Sequence, residues 1–205
     1  MIFIFLIGSY FLGSLPFGYW LVRLKTGQDI RELGSKNPGA TNVGRVLGRK
    51  FGILVLILDA LKGVIPPFCA GLFFPLENLI QIELICGSLA IIGHIYSPFL
   101  FFKGGKGVAT ALGLFLYIAT IPCLVSVLLF LISYKLSGYV SIGSVIGSLF
   151  LPIIYACINW MNIFKLRPEE ISVLATMVFA SVFILFRHIP NIKRLLTGQE
   201  LKAVE

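Results

Sequence analysis

Long apolar runs, interrupted by glycine, proline and clustered charge, organise the chain. Cutting at those interruptions leaves seven candidate spans, at roughly 2–24, 51–74, 78–96, 107–119, 120–136, 140–158 and 170–187. A helix needs about 20 predominantly apolar residues to cross the hydrocarbon core of a bilayer. The fourth run is short, and Pro122 blurs its junction with the fifth. The alternation in ten-residue segments that marks an outer-membrane barrel is missing. The pattern predicts an all-α, polytopic membrane helix bundle of about seven transmembrane helices, with residues 1–205 forming a single integral-membrane domain.

Composition agrees. Of the 205 residues, 58% are hydrophobic and only 13% charged, where a soluble domain carries about 25%. The formal net charge of +8 therefore concerns sidedness and anionic ligands, because no soluble basic domain exists to bind nucleic acid. The first apolar run, Met1 to Trp20, has no positive flank before it, and Arg23 and Lys25 follow it. A cleaved signal peptide has the opposite polarity. A retained first span with the N-terminus outside then puts all but Lys62, Lys165 and Arg167 of the 17 basic residues on the inner side, as the positive-inside rule asks. That parity puts the C-terminus in the cytoplasm; five spans would share it, but the segmentation favours seven. Cys69, Cys86, Cys123 and Cys157 lie singly in apolar segments, without metal-ligand spacing, and read as buried structural thiols. Asp59 and Lys62 stand three apart within the second run, close enough to pair on one helix face. No internal repeat appears.

Three polar motifs separate the spans on the predicted inner side. The first, Asp29 to Arg45, contains Gly34-Ser35-Lys36-Asn37-Pro38-Gly39-Ala40-Thr41-Asn42. Ser35, Asn37, Thr41 and Asn42 suit a polar pocket, and Arg45 suits a phosphate held through two parallel bonds. The second runs from Gly93-His94-Ile95-Tyr96-Ser97-Pro98-Phe99-Leu100-Phe101 into Phe102-Lys103-Gly104-Gly105-Lys106-Gly107-Val108-Ala109-Thr110 and reads as a phosphate cradle at the start of a membrane helix. Glycine permits close backbone approach, and the helix start offers free N–H groups. It is not a Walker A loop, since Leu100 and Gly107 stand where that motif requires glycine and Ser or Thr. The third, Arg187-His188-Ile189-Pro190-Asn191-Ile192-Lys193-Arg194 and on to Glu200, begins where the last span should leave the membrane. Lys103, Lys106, Arg45 and Arg194 together would hold more than one phosphate.

These three ordered motifs resemble those of the bacterial acyl-phosphate:glycerol-3-phosphate acyltransferases, and the resemblance runs from the first span to Glu200. It implies a seven-helix inner-membrane enzyme whose site faces the cytoplasm. That enzyme moves a fatty acyl group from acyl phosphate to the 1-hydroxyl of glycerol 3-phosphate, giving lysophosphatidic acid and inorganic phosphate, the first acylation of phospholipid synthesis. By the same resemblance Ser35 and Arg45 are needed for activity, and Gly104, Gly105, Lys106 and Gly107 bind glycerol 3-phosphate. His188 and Asn191 line the reaction centre. Lys36 departs from the family, which usually has glycine there, and this puts the local turn in question.

The chemistry is coherent without the family. An acyl phosphate has a good leaving group, so the task is to bring two anions together and hold a hydroxyl near a carbonyl, by positioning and charge neutralisation. Lysines, arginines and small polar donors with few carboxylates suit it. The proton acceptor is either His188 or the phosphate of the donor. Neither histidine begins a His-x-x-x-x-Asp dyad, because Phe99 and Lys193 occupy the fifth positions. No metal and no cofactor are expected, and the protein should work as a monomer in the bilayer. The competing reading is a membrane transporter of a phosphorylated solute, since broken helices and basic pockets also build anion transport sites. A third, a small helical subunit of a larger complex, leaves the clustered motifs unexplained.

Overall fold

The computed structural model describes residues 2–75, 77, 79–165 and 167–202. The described residues form helices joined by turns and short irregular segments, with no strand among them. The first candidate span is broken in two, α1 (Ile2–Ser14) and α2 (Phe17–Thr26). Pro16 supplies no N–H and drives Leu15 out of the helical region. An extended segment with a short 3-10 turn at Ile30–Glu32 leads to the short helix α3 (Ala40–Leu47), and then α4 (Arg49–Phe73) and α5 (Leu79–Ile95) follow. Asn78, the first residue expected in the third span, lies outside the described residues. Next come α6 (Val108–Ile118), α7 (Thr120–Ser137), α8 (Val140–Phe164) and α9 (Pro168–Leu196).

Among the described residues, six segments are long and apolar enough to cross a membrane, with α1 and α2 counted as one; α6 is a shorter apolar helix. Eleven residues span only about 16 Å of helix axis, yet α6 and α7 together go out and back. The start of α6 lies at the same end as Asn191, which Lys106 reaches. The end of α7 is at that end too, because Gly138 packs near the Lys202 side chain.

The sixth and seventh expected spans, α8 and α9, outrun their bounds. The α8 helix continues to Phe164 through a kink at Asn159. The α9 helix carries the third motif from Arg187 to Leu196 and leaves only Thr197 to Glu200 as a turn beyond it. Pro190 there removes a single ladder bond, to the Phe186 carbonyl, without ending the helix.

Helix contacts are close where glycine allows it. A side chain at Gly63 would overlap the Thr110 backbone, and one at Gly113 the Ala60 backbone, so α4 and α6 touch main chain to main chain. Small residues serve this purpose in membrane bundles, where apolar burial alone gives little drive. One apolar core joins α5 to α9 through Ile91, Ile95, Leu114, Phe115, Met177 and Ile184, and a second, of Val22, Ile30, Val43 and Val55, ties the first motif to α2 and α4. Cys86 and Cys123 are buried as expected, but Cys69 is half-buried and Cys157 is exposed on the outward face of α8. Asp59 and Lys62 do pair, at 2.5 Å, both buried.

Candidate active site

The three motifs meet at one end of the bundle. The second begins where α5 ends, turns through Pro98–Leu100, and places Phe101 and Phe102 in the left-handed region. The chain then doubles back on α5. The Gly105 N–H donates to the His94 carbonyl and the Gly104 N–H to the Ile95 carbonyl, each at 3.0 Å. From the other side, Arg187 donates to the Gly104 carbonyl at 3.0 Å and the Gly105 carbonyl at 3.2 Å. The expectation that Gly104 and Gly105 cradle a phosphate with free amides is thereby corrected. Both amides cap the open carbonyls at the end of α5. Glycine is required there for space, since a Cβ at Gly104 would overlap the His94 carbonyl and one at Gly105 the His94 ring. Gly107, at φ 83°, caps α6 in the left-handed region, and the first N–H groups of that helix remain open, as at any helix start.

Lys106 rises from this clamped backbone and donates to Asn191 Oδ1 at 2.6 Å. Burial pushes its ammonium down to about 8; Glu200 opposes that shift, while Arg194, Arg45 and Arg187 reinforce it. Asn191 in turn donates to Glu200 at 2.6 Å, and the same carboxylate accepts from Ser141 at 2.9 Å and Arg194 at 2.7 Å. Burial alone would raise the Glu200 carboxyl, but those three hydrogen bonds hold it below the ordinary carboxylate range. His188, on the turn before Asn191, is 2% exposed. Its Nδ1 lies 2.7 Å from the Ile184 carbonyl. A carbonyl only accepts, so Nδ1 carries the proton and Nε2 keeps a lone pair in the neutral ring.

In the first motif, the Asn42 side chain is buried and structural. It accepts from the Ser35 N–H at 2.8 Å and donates to the Leu33 carbonyl at 2.9 Å. It folds the loop rather than lining the pocket, which corrects the expectation for this residue. Asn37 accepts from the Gly39 N–H at 2.9 Å, an Asx turn leading into α3. Lys36 keeps the turn that glycine would make by adopting φ 59°, at a cost of roughly 1–2 kcal/mol. Arg45 is turned away from the expected phosphate. Its guanidinium donates to the Leu201 carbonyl at 2.9 Å and the Lys202 carbonyl at 3.2 Å, so it fastens the C-terminal tail across the site.

A cavity of about 400 Å³ lies among these groups. Ser35, Lys36, Asn37, Lys106, Asn191, Arg187 and Arg194 form its polar side; Phe186, Ile189 and Pro190 of α9 form the other. Phe186 and Ile189 are exposed on the outer surface of the bundle. A second cavity, of about 430 Å³, adjoins it through Lys36, Asn37 and Arg187 and carries Lys103 and Gly104 on its wall. Of the residues expected at one site, Ser35, Asn37, Lys106, Asn191 and Arg194 converge on the first cavity. Gly104, Gly105, Gly107 and His188 stand behind it, while Lys103 opens only to the second. Thr41 is exposed and lines neither, because α3 turns it outward. Sequence reasoning gave no role to Arg187 or Glu200, although both lie within the third motif.

Comparisons with known proteins agree along the whole chain. The family profile described as glycerol-3-phosphate acyltransferase matches residues 3–198. A glycerol-3-phosphate acyltransferase of Leptospira borgpetersenii is 48% identical over 204 residues, covering 98% of this chain and 91% of the relative. That of Fusobacterium nucleatum is 41% identical, covering 98% and 97%. Among solved structures, PlsY (YgiH), an integral membrane glycerol 3-phosphate acyltransferase in its glycerol 3-phosphate form, superposes with a TM-score of 0.86 at 36% identity, covering 99% of this chain and 96% of that one. Its lysophosphatidic acid form gives a TM-score of 0.81 at 35% identity. On these grounds the chain, a multi-pass membrane bundle with its polar motifs gathered at one end, belongs to the glycerol-3-phosphate acyltransferase family of integral membrane enzymes.

Proposed function

We propose that the protein transfers a fatty acyl group from acyl phosphate to the 1-hydroxyl of glycerol 3-phosphate, releasing lysophosphatidic acid and inorganic phosphate. One observation carries this reading: the same cavity offers Lys106, Arg194 and Arg187 on one side and Phe186 and Ile189, open to the bilayer, on the other. A substrate with an anionic head and a lipid tail fits such a junction. A small soluble phosphate ester would have no use for the apolar wall. This favours the enzyme over a carrier for a phosphorylated solute.

In this reading Lys106 and Arg194 neutralise phosphate charge, Asn191 fixes the Lys106 ammonium, and Ser35 donates a hydrogen bond at the reacting centre. Arg45 acts after exchanging the tail carbonyls for substrate phosphate. The glycerol hydroxyl oxygen attacks the acyl carbon, and the bond from that carbon to the phosphate oxygen breaks. The proton goes to the departing phosphate, because His188 is buried and does not line the cavity. The enzyme works as one domain and as a monomer in the bacterial inner membrane, with this end of the bundle in the cytoplasm, where the positive-inside rule puts Arg23, Lys25 and Arg45.

The test is phosphate release from palmitoyl phosphate by the purified protein. Release that depends on glycerol 3-phosphate, with equal formation of 1-acyl-glycerol 3-phosphate, is expected. Uptake of glycerol 3-phosphate into sealed vesicles without acyl transfer would overturn the reading.

A further inference from the structure

Behind the glycine loop lies a buried polar cluster that the reaction above does not use. Lys62 of α4 donates to the Asp59 carboxylate at 2.5 Å and to the Leu15 carbonyl at the break between α1 and α2. Its ammonium also sits 4.7 Å from the centre of the Phe17 ring. His94, near the end of α5, places Nδ1 3.7 Å from the same Asp59 oxygen. The side chains are 3%, 4% and 9% exposed for Lys62, Asp59 and His94. A charge pair buried at membrane depth is costly unless held by good geometry, and here it draws three helices together at one point.

That point is the back of the Lys106 loop. The far edge of the His94 ring lies where any side chain at Gly105 would stand, and the His94 carbonyl holds the Gly105 N–H. Arg187 grips the two glycine carbonyls from the opposite side. The loop is therefore pinned between Arg187 and the His94 ring, one residue before Lys106.

We infer that His94, seated by Asp59 and Lys62, is a positioning residue: its ring sets where the Gly104-Gly105-Lys106 backbone lies, and hence where the Lys106 ammonium meets substrate phosphate. The role rests on the reading of Lys106 as a ligand of glycerol 3-phosphate. Losing the ring lets the loop sink towards α4 and draws the ammonium back from the cavity. Displacements on the order of 1 Å at a positioning group cost up to about a hundredfold in rate.

The glycine contacts supply a test that separates positioning from general packing. Gly105 does not have a positive φ, so alanine is permitted there except for its overlap with the His94 ring. Gly104→Ala instead meets the His94 main-chain carbonyl, which no change of side chain removes. Steady-state kinetics are measured on wild type, His94→Ala, His94→Gln, Gly105→Ala, Gly104→Ala and the two double variants with His94→Ala, all eluting as single species in detergent. His94→Ala should raise the glycerol 3-phosphate KM about tenfold and change the acyl phosphate KM by less than about twofold. His94→Gln, which keeps bulk and a polar tip, should recover most of that loss. Gly105→Ala should be defective alone and improve when the ring is removed, whereas Gly104→Ala should not improve.

A Gly105→Ala defect unchanged in the His94→Ala background would overturn the positioning role. So would His94→Ala kinetics equal to wild type, or failure of both His94 variants to fold. A wild-type protein that makes no lysophosphatidic acid from these substrates would instead remove the proposed function itself, and the role of His94 with it.

Discussion

Raising the pH should disarm Lys106 before it affects anything else at the site. Burial, with Arg194, Arg45 and Arg187 nearby, lowers this ammonium to about 8. The sign follows directly: the group is cationic below that value and neutral above it. In the free enzyme about nine-tenths of the molecules carry the charge at pH 7 and about one-tenth at pH 9, and kcat/KM reports the free enzyme. Glycerol 3-phosphate stays a dianion throughout, since a phosphate monoester has its second pKa near about 6. The kcat/KM for glycerol 3-phosphate should therefore fall roughly tenfold between pH 7 and pH 9. The kcat should fall less, because a bound dianion beside the ammonium favours its charged form. Initial rates of 1-acyl-glycerol 3-phosphate formation, corrected for spontaneous hydrolysis of the acyl phosphate, would measure both. Lys106→Arg supplies the control. Guanidinium stays charged over this range, so the variant, though slower at pH 7, should show a flat profile. A flat wild-type profile, or an equal decline in Lys106→Arg, would refute the assignment of this limb to Lys106.

Further expectations concern the groups that hold the site together. Glu200→Ala leaves Arg194 and Asn191 without their shared acceptor and, with Arg194 a third exposed, should cost about 1–3 kcal/mol, seen as a lower melting temperature in detergent; Glu200→Gln should lose less. Arg187→Lys gives up the fork that grips the Gly104 and Gly105 carbonyls and should raise the glycerol 3-phosphate KM about tenfold without unfolding the protein. Lys62→Met strands the Asp59 carboxylate and should destabilise by about 3–5 kcal/mol, whereas Lys62→Met with Asp59→Leu should be closer to wild type in melting temperature.

Much of the architecture is legible in the chain because crossing a bilayer imposes a minimum apolar length that every span but α6 meets. The apolar pattern alone runs the first span unbroken through Pro16, where the helix in fact stops, whereas Pro190 does not end α9, because a helix packed on its neighbours tolerates one missing ladder bond. The convergence of the motifs follows from their common side. Which atoms touch is another matter. His94, Arg187 and Glu200 each stand alone among unlike neighbours, with no spacing to betray them; their partners Gly105, Gly104 and Ser141 lie 11, 83 and 59 residues away.

The glycine pair shows most clearly how a motif read for one purpose can serve another in the fold. Gly104 and Gly105 stand at a candidate phosphate site, and a sequence reader expects free amides there. Their amides are instead occupied by the last carbonyls of α5. What the missing side chains provide is the gap into which His94 fits. The loop can then be held rigidly from both sides, and in the proposed reaction the charge that meets the anion is that of Lys106 rather than the partial charges of the glycine amides. On that proposal anion affinity depends on a side chain whose ammonium burial lowers to about 8, and that dependence makes pH the most direct probe of the loop.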